Sequence, residues 1–280
     1  MTVQEFIAAA LAEDIHTGDI STLACIDPEA QGSAILYVKE AGVLSGIQLA
    51  HQIFSFLEPE VQFIPLLQEG DSIQPGMKAF EVHARVHTLL QGERLVLNCM
   101  QRMSGIATLT RKYVEKLKGY RTQILDTRKT TPLFRYFEKQ AVRTGGGTNH
   151  RMGLYDMVML KDNHIDYCGG ITKAIHKTRA YIQQHHPDIK IEIETRSLEE
   201  VDEVLAAGGV DRIMLDNFSP EDLTIAIKRI NGQYETEASG GITLDNIESY
   251  AATGVDFISS GAIIHHAVSL DLSLKASIHT

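Results

Sequence analysis

In the second half of the chain, short apolar runs alternate with longer stretches of helical spacing. QILDT precedes PLFRYFEKQAVRT, DMVMLK precedes GITKAIHKTRAYIQQHH, and IKIEIET precedes SLEEVDEVLAAG. RIMLDN and YETEAS continue the series with SPEDLTIAIKRI and TLDNIESYAATG, and FISSG closes it. Buried strands alternating with amphipathic helices predict a parallel sheet with crossover helices. Six such units are too few for an eight-unit barrel, which leaves an open doubly wound sheet or an incomplete barrel. The polar residues decide between them. The strands end on Arg128 and Lys129, on Lys161, on Glu194, on Asp216, on Ser239 with Gly240 and Gly241, and on Ser260 with Gly261. A barrel gathers all its C-terminal strand ends around one mouth, whereas an open sheet spreads them along an edge. The pattern therefore predicts an α/β protein with an incomplete, six-unit α/β barrel.

The first half is organised differently. Thr2 and Glu5 fit a capping box ahead of a helix over VQEFIAAALAED. EDIHTGDIST reads as a polar turn. SAILYVKEAGVLSG, VQFIPLLQEG and DSIQPGMKAFEVHARVHTLL carry strand character broken by Gly and Pro, with a helix at LAHQIFSFL between them. ERLVLNCMQRMSGIATLTRKYVEKLKG is a long helix in which Gly105 is a possible weak point. We place an N-terminal α+β domain at residues 1–112 and the barrel at 113–265. The tail, 266–280, shows no seventh unit and is expected to pack on the first domain.

Composition narrows the function. The chain has 280 residues, 44% of them hydrophobic, and a formal net charge of -10 at pH 7. Such an acidic surface argues against nonspecific nucleic-acid binding. No apolar run reaches membrane-spanning length, and the start MTVQEF has no basic, apolar signal segment. Cys25, Cys99 and Cys168 are scattered and odd in number, as in a reducing cytoplasm.

Against that acidic background, Ile124–Ile165 concentrates Arg128, Lys129, Arg135, Arg143, His150, Arg151, Lys161 and His164 around three glycines. Cations beside flexible backbone point to a pocket for a strongly anionic small molecule. In LDTRKTTP, Arg128 and Lys129 directly follow a buried strand. In RTGGGTNHR the glycines offer backbone N–H groups. His150 fits a general base, a hydrogen-bond donor or a core histidine equally well. Lys161 suits either a carboxylate partner or a Schiff-base nucleophile. Glu194 and Asp216 suit a divalent cation, ribose hydroxyls or a developing positive charge, and Glu192 shares the face of Glu194. SGGIT and SSGA have the composition of late-barrel phosphate loops. The adjacent pairs His185–His186 and His265–His266 lack ligand spacing, and Arg94 looks like ordinary helix surface.

Taken together, EDIHTGD, ERLVLNCMQRMSGIAT, LDTRKTTP, EKQAVRTGGGTNHRMGLYDMVMLKDNHI, IMLDN, SGGITLDNI and TGVDFISSGA resemble the quinolinate phosphoribosyltransferase family, the nicotinate-nucleotide pyrophosphorylases of NAD synthesis. The resemblance runs through nearly the whole chain in order. It implies transfer of phosphoribosyl from 5-phosphoribosyl 1-diphosphate to quinolinate, with Mg²⁺, yielding nicotinate mononucleotide, diphosphate and carbon dioxide. It implies that Arg128, His150, Arg151 and Lys161 hold quinolinate, with Arg94 entering from a second subunit of at least a homodimer, and that Thr127 is among the substrate-binding residues. Lys129 would serve the phosphoribosyl diphosphate. Glu194 and Asp216 would meet ribose hydroxyls or Mg²⁺, and Ser239, Gly240, Gly241, Ser260, Gly261 and Ala262 would hold the 5-phosphate. The first domain of one subunit would cover the barrel mouth of the other.

The chain departs from the family pattern at Leu133-Phe134, where Gly-Leu is usual, at SGA, where VGA is commoner, and at Arg196 after IEIET. The alternatives are an aldolase using Lys161 as a Schiff-base nucleophile and a related member acting on another ligand as a nucleotide- or oxyanion-binding module.

Overall fold

The structure, a computed structural model, describes residues 1–277 and forms two compact units. The first comprises Met1–Arg111, Thr130–Gly146 and the C-terminal segment from His266. It contains α1 (Val3–Ile15), α2 (Ile20–Cys25), β1 (Gln31–Val38), β2 (Gly42–Val43), α3 (Ile47–Leu57), β3 (Gln62–Pro65), β4 (Ser72–Ile73) and β5 (Lys78–Arg85). Helix α4 (Val86–Lys116) follows, and α5 (Arg135–Thr144) joins the same unit. At the start of α1, Glu5 N donates to Thr2 Oγ1 at 3.2 Å and Thr2 N to Glu5 Oε2 at 2.7 Å, satisfying two amides that the helix cannot. The stretch read as a polar turn leads into α2, which begins within it and is capped by Asp19 through Thr22 N at 3.1 Å.

An antiparallel sheet forms the centre of this unit, in the order C-terminal strand (Leu272–Ser277), β1, β5, β3. Leu36 and Val38 of β1 and Phe80 and Val82 of β5 are fully buried. Gly105 does not interrupt α4. A Cβ there would stand 2.0 Å from the carbonyl oxygen of Val268, so the position is glycine to admit the backbone of the C-terminal segment. Arg102 and Gln101 of the same helix donate to Ala267 O at 2.9 Å and Leu272 O at 3.0 Å.

The sequence boundary at 112/113 falls inside α4, and α5, read as the first crossover helix of the barrel, packs in the first unit instead. The rings of Phe134 and Phe137 lie 5.5 and 4.7 Å from Phe6. Glu138, fully buried, takes Arg102 Nε and Nη2 at 3.0 and 2.9 Å and Thr131 N at 2.8 Å. Once α5 supplies this buried ion pair and aromatic cluster, it is committed to that side; removing either partner would strand a buried charge.

The second unit comprises Lys112–Lys129 and Gly147–His265. Its strands are β6 (Gln123–Leu125), β7 (Val158–Leu160), β8 (Ile191–Thr195), β9 (Arg212–Asp216), β10 (Glu235–Ser239) and β11 (Phe257–Ser259). Between them lie α6 (Asp162–Cys168), α7 (Ile171–His185), α8 (Leu198–Ala207), α9 (Pro220–Ile230) and α10 (Ile247–Ala251), and α11 (Ala262–His265) follows. All six strands are parallel, in the order β6-β11-β10-β9-β8-β7. A doubly wound sheet starts in the middle and reverses direction. Here the order advances one way, and the first strand pairs with the last, Ile124 opposite Ile258. This is a barrel left open between β6 and β7. A single parallel bridge, Leu125 with Thr148, stands at the edge of that opening.

Strand alternation sets the two faces. Ile191, Ile193, Ile213, Leu215, Ala238 and Ile258 are buried on the helix-covered side with Ile175, Val201, Val204, Leu223 and Ala226. Glu192, Glu194, Arg212, Met214, Asp216, Glu237 and Ser239 fall on the opposite face, which points inward. Among the described residues, no helix is long and apolar enough to cross a membrane.

Candidate active site

A cavity of about 400 Å³ opens where the strands of the second unit end. Thr127, Arg128 and Lys129 line it from the loop after β6, His150 and Arg151 from the segment beside the opening, and Lys161 from the end of β7. Glu194, Asp216 and Ser239 enter from β8, β9 and β10. The structure thus brings together nine residues that the sequence singled out. It also adds Met159, Met214, Glu237 and Ser259. Arg94 lies exposed on α4 in the first unit and is not part of this cavity.

The segment carrying His150 is tied to β6 by Asp126, a buried residue that pattern reading passed over. Its carboxylate accepts His150 N at 2.8 Å and Asn149 Nδ2 at 2.5 Å, while Thr148 N donates to Ile124 O at 2.9 Å. The glycine triplet does not serve as expected. Gly145 N and Gly146 N close α5 on Ala141 O and Arg143 O, both at 2.9 Å, and a Cβ at Gly145 would meet Ala107 O at 2.5 Å. Helix termination and close packing account for these glycines.

Arg151 is half-buried. Its Nη1 donates to Met157 O at 3.1 Å, and Asp156 takes the amides of Met152 and Gly153 at 2.6 and 2.8 Å, which shapes the intervening turn. Burial, and then the charge of Arg128, draw the Arg151 guanidinium below its ordinary range. Two guanidinium groups repelling each other in a partly desolvated pocket are stabilised by an arriving anion. Lys161 Nζ lies 3.4 Å from Glu194 Oε2, with the lysine side chain 48% exposed. Burial raises the Glu194 carboxyl, with Lys161 opposing and Asp216 reinforcing. His164 acts as a cap: its Nδ1 accepts Lys161 N at 3.0 Å. Asn217, at φ 57°, donates from Nδ2 to Asp216 Oδ2 at 2.6 Å and so holds that carboxylate.

Of the expected phosphate loops, Ser239 lines the cavity, but Gly240, Gly241, Ser260, Gly261 and Ala262 do not. A Cβ on Gly240 would fall 2.1 Å from Asn217 Oδ1. Ser260 donates its amide to Leu125 O at 3.1 Å and its hydroxyl to Ile242 O at 3.3 Å. The helix expected over TLDNIESYAATG is only α10. Asn246 Oδ1 takes Thr243 N at 2.7 Å and holds the preceding residues in a turn.

Beneath the cations lies a buried ionic layer that sequence reading missed apart from His150 and Glu192. His150 Nε2 is 3.0 Å from Glu192 Oε2 and 3.3 Å from Glu237 Oε2. Arg212 Nη1 reaches Glu237 at 3.0 Å and Nη2 reaches Glu235 at 3.0 Å. Burial works against a charge on His150, but the two carboxylates more than offset it and lift the group to about 9. Burial and the Glu237 charge lift Glu192 to about 7. His150, Glu192 and Glu237 have the donor types of a metal site, yet the Arg212 guanidinium already supplies the cation. The only hint in the sequence was acid at alternate positions, in IEIET and YETEAS.

Cations, two carboxylates and a serine around the mouth of an open parallel barrel define an enzyme site for a polyanionic small molecule. Residues 19–104 match the N-terminal domain of quinolinate phosphoribosyl transferase and residues 106–275 its C-terminal domain. The chain is 44% identical to the chloroplastic nicotinate-nucleotide pyrophosphorylase [carboxylating] of Arabidopsis thaliana, over 96% of this chain and 81% of that protein. It is also 44% identical to the probable nicotinate-nucleotide pyrophosphorylase [carboxylating] of Bacillus subtilis, over 95% of this chain and 90% of that one. The crystal structure of NadC from Streptococcus pyogenes superposes with a TM-score of 0.92 at 43% identity, covering 98% and 95% of the two chains. The chain belongs to the quinolinate phosphoribosyltransferase family.

Proposed function

We propose that this enzyme joins quinolinate to 5-phosphoribosyl 1-diphosphate and decarboxylates the product to nicotinate mononucleotide, a step of NAD synthesis. The observation that carries the reading is the placement of Arg128, Arg151 and Lys161 around one cavity with Glu194 and Asp216. Quinolinate carries two carboxylates, and guanidinium forks pair with carboxylates through two hydrogen bonds each. Lys129 and Ser239 take the phosphoribosyl diphosphate. The pyridine nitrogen attacks C1 of the ribose and diphosphate leaves. Glu194 and Asp216 stabilise the positive charge that develops on the sugar. The N-alkylated ring then accepts the electron pair released as its 2-carboxylate departs as carbon dioxide, and a proton replaces it. Holding both substrates in one cavity removes much of the entropic barrier.

Glu194 and Asp216 are hard oxygen donors, and the rise that Asp216 contributes to the Glu194 carboxyl places them within electrostatic reach. This set fits Mg²⁺, which is commonly held by one or two carboxylates together with substrate phosphates; bound there, the ion would neutralise the departing diphosphate. We assign the enzyme to the cytoplasm and to a homodimer in which Arg94 of one subunit completes the site of the other. The exposure of Arg94 on α4, where a second subunit can reach it, supports that arrangement. The pairing of Lys161 with Glu194 disfavours the aldolase, since a Schiff-base lysine needs a neutral amine.

The test is an assay with quinolinate, 5-phosphoribosyl 1-diphosphate and Mg²⁺, expected to release nicotinate mononucleotide and carbon dioxide together and to stop on chelation of the metal. Turnover of nicotinate but not quinolinate would overturn the substrate. Mixing inactive Arg94→Ala and Lys161→Ala proteins should restore about a quarter of wild-type activity if subunits assort at random; no recovery would refute the shared site.

A further inference from the structure

Neighbouring strands of the second unit are spaced by parallel ladders, except across the opening between β6 and β7. There, among the described residues, a single bridge stands, Leu125 with Thr148. It begins as a ladder does: Thr148 N donates to Ile124 O at 2.9 Å and Asp126 N to Thr148 O at 3.2 Å. In a parallel pair the next bond would run from the amide of His150 to the main-chain carbonyl of Asp126. It goes instead to the Asp126 side chain, where Oδ1 accepts it at 2.8 Å. Oδ2 takes Asn149 Nδ2 at 2.5 Å. The carboxylate stands in for the missing rung. It is fully buried, and a buried carboxylate held by fixed donors is a stiff spacer.

The spacing matters because a half-buried arginine follows on each side of this rung. Arg128 lies two residues after Asp126 and Arg151 one residue after His150, and both line the cavity. Burial, and then the charge of Arg128, draw the Arg151 guanidinium below its ordinary range, so the two groups repel. With no ladder between the edges, that repulsion acts to part them. Arg151 is held from its other side as well, where Asp156 accepts the amides of Met152 and Gly153 at 2.6 and 2.8 Å. We propose that Asp126 is a positioning residue that sets the separation of Arg128 and Arg151 across the open seam, and so fits the cavity to two adjacent carboxylates. The proposal rests on the quinolinate reading above and deepens it. A vicinal dicarboxylate must meet both forks at once, and a guanidinium fork discriminates by geometry as well as charge.

The test uses the full-length enzyme. Asp126→Asn keeps an oxygen for the His150 amide but removes the charge from the rung. It should lower kcat/KM for quinolinate about three- to tenfold through KM, the value of one hydrogen bond. KM for 5-phosphoribosyl 1-diphosphate should stay within about twofold of wild type, because Lys129 follows β6, which keeps its ladder with β11. In an Arg151→Ala background the same substitution should cost at most about a third of that factor, since the group it positions is gone. An equal loss in both backgrounds, or an equal loss for both substrates, would overturn the proposal.

If Asp126→Asn does not fold, Asn149→Ala decides, because it takes one donor from the rung at a half-buried position. It should raise KM for quinolinate about two- to fivefold and leave KM for 5-phosphoribosyl 1-diphosphate unchanged; an unchanged KM for quinolinate would overturn the proposal. Wild-type protein that binds no quinolinate in a calorimetric titration overturns the functional reading and the proposal together. Binding by the wild type without the split between the two substrates in the variants overturns the proposal alone.

Discussion

The mouth of the barrel and the layer just beneath it are built from the same side-chain types and behave in opposite ways. At the mouth, four cations, Arg128, Lys129, Arg151 and Lys161, face two carboxylates, Glu194 and Asp216. The balance is positive and the groups are half-exposed or exposed, apart from Glu194. Beneath, His150 and Arg212 are matched by Glu192 and Glu237 at distances of 3.0 to 3.3 Å, with both acids fully buried. A partly hydrated site can keep unbalanced charge ready for a ligand; a buried one must balance its charge internally or unfold. Charge in this barrel therefore has two functions, recognition above and bracing below.

The largest expected effect lies in the buried layer. Arg212→Ala leaves Glu237 and Glu192 without their guanidinium and should cost about 3–5 kcal/mol of stability, read by urea unfolding. A loss under about 1 kcal/mol would show the layer to be hydrated rather than closed. At the mouth, Arg151→Ala should lower kcat/KM for quinolinate by roughly two to three orders of magnitude, while the melting temperature barely moves. An equally large loss of stability there would erase the distinction between the two regions.

A smaller effect concerns pH. In the folded protein Glu192 stands at about 7 and His150 at about 9, both above their ordinary values of 4.5 and 6.5. A raised value means that the folded form binds the proton more tightly. The stabilisation is therefore full below the unfolded value and is lost as pH rises through the folded one. Between pH 6.5 and 9 the cluster holds up to one extra proton on the His150 account, so stability should fall by up to about 1.4 kcal/mol per pH unit. Glu237→Gln should flatten that slope. The smallest effect sharpens the mouth. Asn217→Gly relieves a positive φ but frees Asp216, and should cost only about three- to tenfold in kcat/KM with stability unchanged or improved.

Legibility in the sequence followed the same division. Arg128, Lys129, Lys161, Glu194 and Asp216 were readable because each ends or directly follows an apolar run, and in parallel barrels that position faces the mouth. Glu237 and Arg212 were not, because an acid or an arginine within a short strand reads as an exposed edge until the neighbouring strands are placed. Asp126 sits beside cations that dominate the local pattern, and an Asn directly after a strand, as at Asn217, has the composition of an ordinary turn. The glycine triplet misled in the other direction: its composition matches an anion loop, and its position at the end of α5 makes it a helix stop.

Local sequence specifies the alternation of strands and helices, the six-unit count, the capping box at Thr2 and the set of charged groups at the strand ends. These depend on local periodicity and on residues a few positions apart. The tertiary structure alone decided that β6 lies beside β11 rather than β7, that α5 leaves the barrel for the first unit, and that His150 turns inward to two acids. Each depends on partners far away in the chain, Ile124 with Ile258, Phe6 with Phe137, His150 with Glu237. Their energies arise only when burial removes water from both members at once.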